Sequence, residues 1–129
     1  NGTQTEALVY GNSPSQTTTL EWDGSSWSSG GALVTGRDRG AEAVGGPQSA
    51  ALYFGGNAPS TTELTATEGY DGTSWSTRPN LGTARRGLGG AGIQTAALAF
   101  AGYTGSDTTA SEEFTGETET ANIANFTTS

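Results

Sequence analysis

Carboxylates, arginines and aromatic rings are the side chains of this sequence with which chemistry could be done. The chain carries 13 Asp and Glu and five cations, all of them Arg, and it has no His, Cys or Met. Without histidine there is no imidazole base at neutral pH, no His-based triad and no imidazole ligand for copper or zinc. Without cysteine there is neither a disulfide framework nor a thiolate metal site. Paired carboxylates are the remaining catalytic option. Glu112 and Glu113 are adjacent, and adjacent residues on a strand point to opposite faces, so they do not converge on one glycosidic bond. They read as solvated edge charges. Asp23 and Asp71 each precede a glycine, but no further carboxylates stand at the spacing of an EF-hand loop, and both read as turn residues. The glycines at 45–46 and 87–92 could be mistaken for phosphate loops. With no Lys in the chain and no helical pattern after them, neither a Walker motif nor a dinucleotide fingerprint is present.

The net charge of −8 argues against nucleic acid, whose phosphates need clustered cations. No apolar run reaches the roughly 18 residues of a membrane span, and no signal-peptide pattern opens the chain. The sequence therefore leads us to expect no catalytic residues, no cofactor, no metal, no nucleic-acid partner and no membrane partner. The 129 residues suit one domain. Its core must use small groups, because 21 positions are Gly, 22 are Thr and 13 are Ser.

The elements that would position these side chains are announced by internal repeats. The segment from Gly2 to Gly11 recurs from Gly46 to Gly55 and again from Gly92 to Ala101, with Leu8, Leu52 and Leu98 in register. Trp22 and Trp27, separated by Asp-Gly-Ser-Ser, recur as Tyr70 and Trp75. A further match sets Gly36 and Arg39 against Gly82 and Arg85. Each unit reads as four short strands. A Gly/Ala-rich strand comes first (39–46, 85–92) and an apolar strand second (6–10, 50–54, 96–100). A third leads into the aromatic (18–22, 65–70, 110–114), and a fourth starts at Trp27 or Trp75. Short strands at this spacing with Asp-Gly turns between them give an all-β protein. Small residues on the first strand let neighbouring backbones approach closely. Leu52 and Leu98 are expected in equivalent buried places.

An Arg before a small-residue strand, an apolar strand ending in Gly55-Gly56, and an aromatic pair such as Tyr70 and Trp75 resemble a kelch-type repeat. That resemblance implies a β-propeller, here a segment of about three four-stranded antiparallel blades. The first blade would be incomplete (1–38), the second would cover 39–84, and the third 85–129 with a divergent C-terminal strand or tail. Copper oxidases with kelch repeats use histidines and a tyrosine cross-linked to cysteine, so that activity does not carry over. In its Thr/Ser/Gly-rich composition the chain is similar to kelch-like arrays in virion structural proteins of tailed bacteriophages, particularly those of cyanobacteria. The resemblance implies a non-enzymatic structural or assembly protein of a virion or extracellular appendage. The alternative is a secreted bacterial carbohydrate-binding module.

Trp22, Trp27, Tyr70 and Trp75 could form a sugar-stacking platform, but repeat-equivalent placement favours packing between units. Arg39 and Arg85 read as structural donors to loop carbonyls or to a carboxylate in the neighbouring blade. Loops joining the second and third strands differ between copies, which makes Asn12, Asn57, Tyr103 and Asp107 the candidate recognition positions, with a host-surface glycan as ligand. Two sequons, at Asn1 and Asn125, occur in a Thr-rich context. Fewer than three whole units leave an open strand edge and uncovered faces, so homo-oligomerisation or membership of a larger assembly is expected. Ile123 and Phe126 would be its apolar anchors, on a tail (119–129) free to act as connector.

Overall fold

The computed structural model describes residues 2–59, 62–115 and 124–126. Their strands form three antiparallel sheets, each a meander in chain order. The first sheet contains β1 (Ala7–Tyr10), β2 (Thr19–Trp22) and β3 (Trp27–Ser29). The second contains β4 (Ala41–Ala43), β5 (Leu52–Phe54), β6 (Thr67–Tyr70) and β7 (Trp75–Arg78). The third contains β8 (Gly89–Ile93), β9 (Ala96–Phe100), β10 (Ser111–Phe114) and β11 (Ala124–Phe126). The first sheet lacks the small-residue strand with which the other two begin, as the repeats led us to expect. No helix among the described residues is long and apolar enough to cross a membrane.

Local chemistry sets the register. The Asp23 carboxylate accepts the N–H groups of Ser25 and Ser26, each at 2.8 Å. Asp71 accepts those of Thr73 and Ser74 at 2.9 and 2.8 Å. Gly24 and Gly72 supply φ of +95° and +97°, which side chains disfavour. The turns place Trp22 opposite Trp27 and Tyr70 opposite Trp75. Backbone N–H donation, from Ser26 and Ser74 foremost, holds both carboxyls below the usual range, Asp23 at about 2.

Two apolar cores separate the sheets. Leu8, Leu33, Ala51, Tyr53, Tyr70 and Trp75 fill the space between the first and second. Leu52, Phe54, Leu88, Ala97, Ala99 and Phe114 are the larger members of the core between the second and third. The second sheet is therefore covered on both faces, and all of β5 is buried. The strand β9 is covered on one face only. Leu52 is 0% exposed, whereas Leu98 is 36% exposed. The equivalence expected for these two leucines holds for position and fails for burial, because among the described residues no sheet lies beyond the third. Small residues do allow close approach between β4 and β8. A Cβ at Gly90 would meet the Glu42 carbonyl oxygen at 2.6 Å.

Residues 124–126 pair with β10, Phe126 opposite Ser111, and take the fourth-strand place. These three residues are the fourth strand of the third sheet, in line with the divergent C-terminal strand expected of 85–129. Ile123 falls outside the described residues.

After each second strand the chain turns through a left-handed residue: Gly11 (φ +60°), Gly55 (φ +67°) and Ala101 (φ +59°). This conformation costs an L-residue about 1–2 kcal/mol. Ala101→Gly is expected to stabilise the fold by about 1 kcal/mol, raising the melting temperature by roughly 3–5 °C. Thermal unfolding followed by circular dichroism checks it, and a lowered midpoint would contradict the strain.

Candidate functional site

Two buried arginines organise the loop end of the sheets. Arg37 and Arg85 are both 0% exposed. In the second unit, Arg37 Nη2 is paired with the carboxylate of Glu68 on β6. Its Nη1 donates to the carbonyls of Gly55 (3.1 Å) and Ala66 (2.5 Å). In the third unit, Arg85 Nη2 pairs with Glu112 on β10, and Nη1 donates to Ala101 (3.1 Å) and Ala110 (2.8 Å). The carboxylates also receive linker backbone. Glu68 accepts the N–H groups of Val34 (2.6 Å) and Thr35 (3.1 Å), and Glu112 those of Gly82 and Thr83. A planar fork and a carboxylate thus tie the incoming linker to the ends of its own second and third strands.

This corrects the expected equivalence of Arg39 and Arg85. Arg37 is the counterpart of Arg85, and Arg39 is exposed. The counterpart of Arg39 is Gly87, and the two hold φ of +56° and +62°. The edge-charge reading of Glu112 is overturned as well. It is 2% exposed, because the arginine supplies the charge that lets it be buried. Glu113, its neighbour on the opposite face, is exposed. In the first sheet, Leu20 stands at the place held by Glu68 and Glu112.

A second repeated contact runs between sheets. Gln48 Nε2 donates to the Ala7 (2.6 Å) and Trp22 (3.0 Å) carbonyls of the preceding sheet. Gln94 Nε2 donates to Ala51 (3.0 Å) and Tyr70 (2.9 Å) in the same way. The recurrence of Gln4, Gln48 and Gln94 was the sequence signal for this lock. The repeated Gly2, Gly46 and Gly92 stand beside it, where a Cβ would press on the carbonyl of Glu6, Ala50 or Ala96.

The aromatic positions pack between sheets, with the outermost set uncovered. Trp75 is 5% exposed, its indole N–H donates to Thr19 Oγ1 of the first sheet at 2.9 Å, and it meets Tyr70 and Tyr10 edge-on or tilted. Trp27, its repeat partner, is 50% exposed and lies against Trp22 at 5.3 Å. Tyr70 donates its hydroxyl to Glu21. Burial, and then that hydrogen bond, push its pKa up to about 12. Burial and Glu42, which accepts its hydroxyl, push Tyr10 up as well.

Of the four candidate recognition residues, Tyr103 and Asp107 come together. They line an open cleft of about 460 Å³ with Arg39, Arg86, Gly102 and Thr108. Arg86 lies over the Tyr103 ring at 4.6 Å and donates to Glu63 at 3.0 Å. Asn12 is exposed on the loop of the first sheet, outside this cleft. Asn57 is 6% exposed and exchanges backbone hydrogen bonds with Asp38, so its side chain is not offered to solvent. Arg39 joins the cleft although its sequence signal had suggested a structural donor. No group of three or more Asp and Glu placed to hold a metal occurs among the described residues.

No family model matches the chain, and comparison with curated proteins gives no match. Among solved structures it is similar to that of YjhT, with a TM-score of 0.70 at 13% identity. The similarity covers 95% of this chain and 43% of YjhT, so the chain spans less than half of that protein's length. A likeness at this identity establishes the all-β fold and carries no activity with it.

Two outcomes follow from these contacts. Arg85→Met leaves the Glu112 carboxylate buried and unpaired and is expected to destabilise by about 3–5 kcal/mol. Glu112→Gln keeps the shape but leaves the Arg85 guanidinium buried without a counter-charge, and should also cost about 3–5 kcal/mol. Urea unfolding measures both, and losses below about 1 kcal/mol would show that the pair is not structural. For Tyr70, a folded pKa above the unfolded value near 10 means stability that is complete below pH 10 and lost as pH rises toward 12. Spectrophotometric titration should show late tyrosine ionisation accompanying unfolding, and Tyr70→Phe should delay that unfolding. A Tyr70 that ionises near pH 10 in intact protein would contradict this.

Proposed function

We propose that the chain is a segment of a kelch-like β-propeller in a non-enzymatic structural protein of a virion or extracellular appendage, and that its loop face recognises a glycan. The observation that carries the recognition is Arg39. It occupies a left-handed position where the third unit uses Gly87, a conformation that costs a side-chain-bearing residue about 1–2 kcal/mol. Strain of this kind clusters where a side chain is needed. Arg39 lines the same cleft as Arg86, Tyr103 and Asp107. Guanidinium, phenol and carboxylate together offer donors, an acceptor and a ring edge to a hydroxyl-rich ligand.

The non-enzymatic reading rests on where the carboxylates are spent. Glu68 and Glu112 neutralise buried arginines, Glu21 and Glu42 accept from tyrosines, and Asp23 and Asp71 cap turns. The propeller reading is supported by consecutive meander sheets that repeat both the Arg–Glu pair and the glutamine lock, together with the Arg, doublet and aromatic positions of the repeats.

Arg39→Gly separates binding from stability. It should stabilise the fold by about 1 kcal/mol, by removing the strain. It should also weaken glycan binding at least about tenfold, the loss expected for a hydrogen bond involving a charged group. A glycan array followed by titration of the strongest sugar reads the binding. Absence of any glycan signal from the intact chain, or equal affinity of the variant, would remove the recognition reading.

A further inference from the structure

The five cations of the chain are unevenly spent. Arg37 and Arg85 are 0% exposed, and each has a carboxylate of its own. Arg78 lies on β7 and donates to Ser76 Oγ at 2.5 Å. The other two, Arg39 and Arg86, line one cleft. Their linkers meet there, where the Gly87 N–H donates to the Arg39 carbonyl at 2.8 Å. This junction is internal, between the loops of the second and third units.

Neither guanidinium is used up by the protein. Arg86 gives Nε to Glu63 at 3.0 Å and lies over the Tyr103 ring. Its Nη groups remain, on a side chain 28% exposed. Arg39 is exposed, and its guanidinium has no ion pair or hydrogen bond among the described residues. The counterpart positions of the second unit carry different charges. Backbone bridges there join Asp38 to Asn57 and Asn57 to Glu63, and in the third unit they join Arg86 to Tyr103 and Tyr103 to Asp107. The backbone path is the same, and a guanidinium set on an aromatic ring has taken the place of the first carboxylate. A ring beneath it and a carboxylate at Nε fix the direction of the Arg86 fork, so less freedom is lost when a ligand binds.

We propose that this cleft takes an anionic glycan, one whose sugar carries a carboxylate or sulfate group. Arg39 and the Nη groups of Arg86 bind the anion, and Asp107 accepts a neighbouring sugar hydroxyl. The proposal rests on the recognition reading above and gives it a ligand class. Two oxygens of a carboxylate or sulfate match the parallel N–H groups of a guanidinium, a match that a lone hydroxyl does not offer. The net charge of −8 opposes the approach of an anion from a distance. Selectivity therefore comes from contact with the two arginines and not from steering.

A glycan array of matched pairs tests it. Uronic-acid oligosaccharides are printed beside their carboxyl-reduced forms, and sulfated oligosaccharides beside their desulfated forms. The intact chain should bind an anionic member at least about tenfold more tightly than its neutral partner, and the pair that shows the preference identifies the anion. Raising the salt to about 1 M, where the screening length is about 3 Å, should shrink that preference. Arg39→Lys keeps the charge and the backbone strain but loses the fork, and Arg86→Gln loses the charge. Each should leave the circular dichroism spectrum unchanged and reduce the preference for the anionic member about tenfold. A merely structural role for either arginine would weaken both members alike.

Equal affinity for the two members of every pair, lost together in Arg39→Gly, overturns the anionic class and keeps the recognition reading. A preference for the anionic member that neither variant changes places the anion elsewhere and overturns the assignment to this cleft. Absence of binding to every member removes the recognition reading and this one with it.

Discussion

Arg37 and Arg85 are charged groups taken wholly out of water, and the surrounding architecture follows from how each is compensated. Desolvating an ion costs several kcal/mol, which only a close counter-charge and satisfied donors can offset. A glutamate on the third strand supplies the charge. Carbonyls at the ends of the second and third strands accept from Nη1, while Nε of each arginine is buried with no hydrogen-bond partner among the described residues. The same glutamate takes two linker N–H groups. One ion pair therefore sets the path by which the chain enters the second and the third unit, the separation of two strands in each, and the position of the loops beyond them.

The contacts between sheets have a different character. They are a neutral amide reaching two carbonyls, an indole on a hydroxyl, and a phenol on a carboxylate. Each contributes on the order of 1 kcal/mol; the amide, the indole and the Tyr70 phenol reach from a later sheet back to an earlier one, and the Tyr10 phenol reaches forward to Glu42.

A frame held by buried ion pairs leaves its loops free to vary, since their sequence is not needed to hold the strands. The cleft around Arg39, Arg86, Tyr103 and Asp107 forms between loops of the second and third units. The bridge of Arg86 to Tyr103 repeats that of Asp38 to Asn57, so the backbone is the same and the side chains are not. The second unit closes its version over a buried Asn57. The third opens its own, with Tyr103 under the Arg86 guanidinium.

By itself the sequence determined the all-β class, the three repeat units, the Asp-Gly turns and most strand positions to within about two residues. These follow from local rules, in which Asp and Gly make turns and short apolar runs make strands. Tertiary structure alone decided which arginine is buried. Arg37 and Arg39 are two residues apart, so they share a side of an extended chain, and both precede a small-residue strand. Only Glu68, 31 residues downstream of Arg37, selects between them. Tertiary structure also decided that Leu52 is covered and Leu98 is not. Their sequence surroundings are alike, and burial depends on whether another sheet lies beyond, which a repeat unit does not encode about itself. The same reason removed Asn57 from the surface and brought Arg39 to the cleft, because contact between loops is set by sheet packing and not by the residues of either loop.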